Sequence, residues 1–149
     1  MTPGEIRETI TAYGHPNIQA THPSTLMITK EKHLSKTGDC IIAVAADKSA
    51  ADLDSHFKEV LRKTNAKLTI TVAAGEIEER IHAVGSPKLV LTHPLDLVVR
   101  KSEYISERTL AIHADKSSND ISRSLVDKLK DPNQTVRITL TVTYELLAL

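Results

Sequence analysis

Polar and apolar residues alternate from the start of the chain. Ile6, Glu8, Ile10 and Ala12 fall on one side, and Arg7, Thr9, Thr11 and Tyr13 on the other. That period of two predicts a strand over residues 5–13, with Glu8 interrupting its apolar face. Gly14-His15-Pro16-Asn17 is turn chemistry. From Ile18 the alternation resumes, with Ile18, Ala20, His22, Ser24, Leu26 and Ile28 sharing a face. It predicts a second strand to residue 29, bent where Pro23 removes a ladder donor. A charged loop over residues 30–37 and then Gly38-Asp39 lead into an apolar run, residues 40–46, of buried-strand length. Ser49 and Asp52 have capping-box spacing, and Leu53, Phe57, Val60 and Leu61 recur at helical intervals. A helix is therefore predicted just after Ser49, ending at Asn65. Residues 67–72 alternate again, so the unit reads β-β-β-α-β.

The pattern then repeats. At an offset of 71, residues 5–35 lie on residues 76–106 with 13 of 31 positions identical. Among them are Gly14 and Gly85, Pro16 and Pro87, and the two Thr-His-Pro runs ending at Pro23 and Pro94. After three residues are lost, Ala46-Asp47-Lys48-Ser49 matches Ala114-Asp115-Lys116-Ser117, and Asp52 matches Asp120. A second capping box and a second helix follow, with Ile121, Leu125 and Leu129 as its stripe. Residues 68–72 match residues 138–142. An internal duplication, residues 5–75 and 76–146, is the simplest source of such a pattern.

One such unit leaves sheet edges bare, and two can close on each other. The expectation is a single α+β domain over residues 1–149, a mostly antiparallel barrel-like sheet of about eight strands with two helices, arranged about a pseudo-two-fold axis. An open two-layer sandwich is the alternative. The last strand of each repeat is expected to exchange into the other half.

Composition narrows the function classes. Nineteen basic and 19 acidic side chains balance, so no global field favours DNA or an anionic membrane. No apolar run is long enough to span a bilayer, and no leader-like segment is read at the N-terminus. One cysteine, Cys40, permits no internal disulfide and points to a reducing, cytoplasmic setting. Three Tyr, one Phe and no Trp leave little for stacking bases and call for an aliphatic core.

Gly14-His15-Pro16-Asn17-Ile18, Ala20-Thr21-His22-Pro23, Gly38-Asp39-Cys40-Ile41, Ala46-Asp47-Lys48, Gly85-Ser86-Pro87, Leu91-Thr92-His93-Pro94, Arg100-Lys101-Ser102 and Ala114-Asp115-Lys116 resemble an archaeal family known only as a domain of unknown function, family 371. The resemblance covers nearly the whole chain. It implies a compact archaeal cytoplasmic protein and carries no activity and no catalytic residue.

Candidate chemistry comes from the residues themselves. His22 and His93 occupy equivalent positions on the apolar face. They read either as a pair for a divalent metal or for proton transfer, or as half-buried rings bonded to the backbone. Lys48 and Lys116, at the expected helix starts, offer anion sites unless the capping boxes fill them. The first half alone carries His15, Asn17, Asp39 and Cys40 in two loops. With His22 or His93 they are expected to line one rim and hold a small polar ligand or a metal; the alternative is that these are solvated turns. Cys40 as a nucleophile is weighed against a small buried hydrophobe. A second function class is docking of RNA or a protein through the basic loops at residues 30–36 and at Arg100-Lys101. Homo-oligomerisation is left open.

Overall fold

The computed structural model describes residues 3–145. Among the described residues run eight strands and two α-helices. These are β1 (Pro3–Tyr13), β2 (Thr25–Thr29), β3 (Ile41–Ala43), α1 (Ser55–Leu61), β4 (Lys67–Ala74), β5 (Ile77–Val84), β6 (Asp96–Arg100), β7 (Thr109–Ala111), α2 (Arg123–Leu129) and β8 (Thr135–Glu145). A 3-10 turn, Ser118–Asp120, precedes α2. The fold is α+β as expected, but the barrel does not close. In its place stand two four-stranded sheets, β1-β8-β4-β5 and β3-β2-β6-β7. The first is antiparallel throughout; in the second only the central β2–β6 pair is.

The failure to close has a local cause. The first sheet meets the second through single bridges, Tyr13 to Val44 and Val84 to Ile112. One residue further on, Ala45 and His113 both turn to φ 53. That left-handed conformation takes the chain out of the extended region, so each ladder stops at one rung.

Exchanging β1 with β5, β2 with β6, β3 with β7 and β4 with β8 leaves both strand orders unchanged. β4 pairs with β5 and β8, while β8 pairs with β1 and β4. Each last strand thus lies beside the first strand of the other half. The registers set the correspondence: Tyr13 pairs with Thr135 and Val84 with Lys67, so Lys67 answers Thr135 at an offset of 68 (135 − 67). The same 68 separates α1 from α2 and β3 from β7. The sequence match of residues 68–72 to 138–142 runs two positions further. A slip of two keeps every side chain on its own face, so alternation cannot detect it.

Three other expectations shift. The strand from Ile18 survives only as β2, because Ala20 turns to φ 51, as Leu91 does at φ 56 in the second half. The apolar run of residues 40–46 contributes only Ile41–Ala43 as strand. The helices begin later than the capping boxes. Ser49 does bond Asp52 Oδ2 through its N–H (2.9 Å) and hydroxyl (3.0 Å), and Ser117 bonds Asp120 in the same way. The boxes close turns instead. The chain then re-extends, at Ile121 with ψ 137, to bury Leu53 and Ile121. Asp54 and Ser122 cap the true helices, Asp54 accepting the N–H groups of His56 and Phe57 and Ser122 that of Leu125.

One core joins both sheets and both helices, including Ile10, Leu26, Ile42, Phe57, Ile70, Leu97, Leu125 and Ile138. It is aliphatic apart from Phe57, as the composition requires. Gly14 and Gly85 pass so close to the ends of the opposite helices that a Cβ would strike the Leu129 and Asp131 carbonyls in one case and the Leu61 carbonyl in the other. That contact, between halves, is why the turn after each first strand needs glycine.

Candidate functional site

The histidines singled out in the sequence are bonded to backbone. The Asn17 N–H donates to His15 Nδ1 at 3.0 Å. Ser24 and Thr25 donate to His22 Nδ1 at 3.1 and 3.0 Å, and Leu95 and Asp96 to His93 Nδ1 at 3.2 and 2.9 Å. Asn17 Nδ2 donates to the Leu34 carbonyl at 2.7 Å, and the Asp39 carbonyl accepts the Thr21 and His22 N–H groups. The structure therefore ties the turn at Asn17, the 30–40 loop, His22 and Asp39 together. It does not bring His93 to them. In the antiparallel β2–β6 pair Thr25 faces Arg100 and Thr29 faces Asp96, so the segments before Thr25 and before Asp96 leave from opposite ends. Among the described residues no three His, Cys, Asp or Glu side chains gather as a metal site.

Lys48 and Lys116 are engaged by the protein's own carboxylates. Lys48 Nζ lies 2.8 Å from Glu8 Oε2 and Lys116 Nζ 3.2 Å from Glu79 Oε2. Two lysines of the basic loops are likewise paired, at the surface. Lys30 pairs with Asp52 at 3.0 Å and Lys101 with Asp120 at 2.7 Å. Arg100 donates to Thr109 Oγ1 at 3.1 Å and lies 5.0 Å from the centre of the Tyr104 ring.

Cys40 sits beside the β2–β6 pair. Its carbonyl accepts the Met27 N–H at 2.9 Å and the Ser118 hydroxyl at 2.6 Å. Arg108, 68 positions after Cys40 in sequence, donates to Asp96 Oδ2 at 3.1 Å. Burial pushes the Cys40 thiol up from its ordinary range, and the neighbouring Asp39 carboxylate adds to the effect. A thiol kept protonated is a poor nucleophile.

The feature the sequence reading missed is the outer face of the β1-β8-β4-β5 sheet. The registers lay it out in rows across the strands. One row is Thr9, Thr139, Thr71, Arg80; the next is Arg7, Thr141, Thr69, His82. Four threonines thus form a block, with neighbours roughly 5 Å apart across strands and roughly 7 Å along them. An arginine stands at each of two diagonal corners. Among the described residues none of these four hydroxyls has a hydrogen-bond partner, whereas Arg7 and Arg80 make only exposed pairs with Glu5 (3.4 Å) and Glu78 (3.3 Å). The block floors an open depression of about 390 Å³. An adjoining depression of about 480 Å³ shares Thr69, His82 and Thr143 and is walled by Lys67, His113 and Asp115.

His82 is the chemically distinctive member. Its N–H donates to Asp115 Oδ1 at 2.8 Å and its ring Nδ1 lies 3.2 Å from Asp115 Oδ2. In the first half Thr11 makes the same backbone bond to Asp47 Oδ1 at 3.0 Å but has no ring to add. The carboxylate thus has a backbone role in both halves and orients an imidazole in one. The sequence held the signal for this face. Thr9, Thr69, Thr71, Thr139 and Thr141 all fall on the polar side of predicted strands, a position usually left to solvation.

Residues 10–143 match the family model described as "Domain of unknown function (DUF371)". The chain is similar to "Uncharacterized protein MJ0206" of Methanocaldococcus jannaschii, at 46% identity over 127 residues, 85% of this chain and 93% of the relative. Neither description names an activity. No helix among the described residues is long and apolar enough to cross a membrane.

Proposed function

The chain belongs to the DUF371 family, whose description assigns no function, and from its surface we propose that it binds a small hydroxylated anion, such as a phosphorylated or carboxylated polyol, on the outer face of the β1-β8-β4-β5 sheet. The observation that carries this reading is the block of unpartnered threonine hydroxyls at Thr69, Thr71, Thr139 and Thr141, flanked by Arg7 and Arg80 in one depression. A hydroxyl both donates and accepts, so it matches ligand hydroxyls in either sense. A guanidinium presents a planar fork that suits a phosphate or carboxylate. The rows carry no Phe, Tyr or Trp, which disfavours a stacked base. His82, oriented by Asp115, adds a proton-accepting or proton-donating group at the edge of the ligand.

The small polar ligand expected from the sequence is kept, and its place moves from the loops around His15, Asn17, Asp39 and Cys40 to the sheet. The docking reading through the 30–36 loop and Arg100-Lys101 is weakened by the pairing of Lys30, Arg100 and Lys101. The exchange symmetry of the strand orders supports descent from a duplicated β-β-β-α-β unit. The single half-buried thiol fits a cytoplasmic setting.

The test is a thermal-shift screen of sugar phosphates and small carboxylates against neutral sugars, followed by calorimetry. An anionic polyol is expected to raise Tm, and Arg80→Ala or Thr71→Val to abolish most of the shift. A ligand that binds the parent and Arg80→Ala/Thr71→Val equally would place its site elsewhere and overturn the reading.

A further inference from the structure

The open edge of β1 leads to a second conclusion, independent of any ligand. β1 is an edge strand, paired on one side only with β8 over its full length. On its free side the odd-numbered residues point their backbone groups outward. Tyr13 exchanges bonds with Val44 at 2.8 Å each way, and Thr11 is held by Asp47 through N–H to carboxylate (3.0 Å) and carbonyl to N–H (3.0 Å). The same alternation leaves the N–H and C=O groups of Glu5, Arg7 and Thr9 facing out, and among the described residues none of them has a partner on that side. β5 has a shorter open stretch: its His82 and Val84 are covered by Asp115 and Ile112 as Thr11 and Tyr13 are in β1, and the strand begins only at Ile77, so Glu78 and Arg80 alone remain.

We infer that this β1 edge pairs with β1 of a second copy of the chain, antiparallel, to make one continuous eight-stranded sheet. Charge chooses the occupant and the register. Exposed edges are commonly protected by charges of one sign, which repel any copy of themselves. Here the signs alternate along the edge, Glu5 then Arg7. In the register that centres the two-fold axis on Ile6, Glu5 stands opposite Arg7 of the second copy and Arg7 opposite its Glu5. A shift of two residues of one strand past the other, the smallest that keeps the outward backbone groups facing, moves the axis to Glu5 or to Arg7 and sets like charges face to face, which is unfavourable for directly opposed side chains. The intrastrand Arg7–Glu5 contact, 3.4 Å with both side chains more than half exposed, is a weak competitor.

Backbone geometry agrees with that register. Glu5 and Arg7 each carry outward donors and acceptors, so each cross-copy pair exchanges both N–H···O bonds. The next pair sets Thr9 opposite Pro3. Pro3 has no N–H, and it needs only to accept from Thr9 with its carbonyl. Pairing ends there, one outward residue before Thr11, where Asp47 already closes the edge. The free edge is as long as the self-complementary segment. In the assembled sheet the two threonine faces lie side by side on one surface.

Sedimentation equilibrium of the full chain tests this across a hundred-fold concentration range. The parent is expected to dimerise reversibly. Arg7→Glu and Glu5→Arg are each expected to weaken dimerisation at least ten-fold, and the swap Glu5→Arg/Arg7→Glu to restore it. Thr9→Pro, which removes an outward donor, is expected to weaken it without changing the folded spectrum. A parent that stays monomeric throughout, or a dimer indifferent to both single charge reversals, overturns the inference. A dimer sensitive to Glu78→Arg on β5 but not to Arg7→Glu does so too.

Discussion

Glu8 Oε1 accepts the Asp54 N–H at 2.6 Å, tying the middle of β1 to the residue that caps α1. Its other oxygen takes Lys48 Nζ at 2.8 Å, and the carboxylate is almost fully buried. Glu79 repeats the arrangement with Ser122 N–H at 2.9 Å and Lys116 at 3.2 Å. An acid on an apolar face is thus the fixture that positions a helix start. Glu8→Ala leaves a charged Lys48 and a backbone donor without their partner, and is expected to cost about 2–3 kcal/mol in a denaturant melt. Glu8→Gln, which keeps an acceptor but not the charge, should cost less than Glu8→Ala. Equal losses would mean that Lys48 contributes nothing.

The same end of α1 yields a second expectation. Asp54, and not Ser49, supplies the N-cap, accepting His56 and Phe57 N–H groups at 3.1 and 3.3 Å. Asp54→Ala should cost about 1 kcal/mol and lower helical signal. Ser49→Ala, measured alongside, should leave helical content unchanged, because its hydroxyl serves the Asp52 turn. A loss of helix in Ser49→Ala instead would put the functional cap back at the sequence motif.

How the sequence announced these elements, and where it misled, follows from what each signal measures. The Ser49-Ala50-Ala51-Asp52 motif marks an acidic side chain returning to a serine N–H, and that bond forms; whether a helix continues depends on tertiary burial of Leu53, which no local motif carries. The alternation of Leu68, Ile70 and Val72 fixed a face but not a register, since even slips preserve it. The α+β class was legible because alternation and helical spacing are local. The open barrel was not, because it turns on the φ of single residues, Ala45 and His113, with no glycine to flag them. The threonine block escaped notice because its rows join residues such as Arg7, Thr141, Thr69 and His82, which only the pairing of four strands assembles.

Cys40 gives a chemical test. Burial first, and the Asp39 carboxylate second, push its thiol above the ordinary range. The thiolate fraction at neutral pH is therefore small, and alkylation of the native protein should run well below that of the unfolded chain. The rate should climb only as pH rises past the ordinary thiol range. Asp39→Asn should speed alkylation at pH 8, whereas Arg108→Gln, which removes a favourable cation, should slow it. Native labelling as fast as in denaturant would mean that the thiol is neither buried nor protonated as described.

The acid limb of stability is set in part at Asp120. Its carboxylate is pulled down to about 2, chiefly by the Lys101 hydrogen bond and next by the Ser117 N–H; Asp52 is lowered in the same direction by Lys30 and Ser49. For a group whose folded pKa lies below its unfolded value, the stabilisation is complete above the unfolded value, here the ordinary 3.8. It fades as pH falls toward the folded one. Stability should therefore be flat with respect to these carboxylates above pH 5 and drop between about pH 4 and pH 2. Both partners are more than a third exposed, so salt should shrink the effect. Asp120→Asn should lower stability at pH 6 and flatten the acid drop, so that variant and parent converge near pH 2. Lys101→Met should do the same to a smaller extent, since the Ser117 bonds to Asp120 remain. The measurement is urea unfolding at half-unit pH steps in low and high salt. A parent and an Asp120→Asn variant that lose stability in parallel across that window would remove Asp120 as the source.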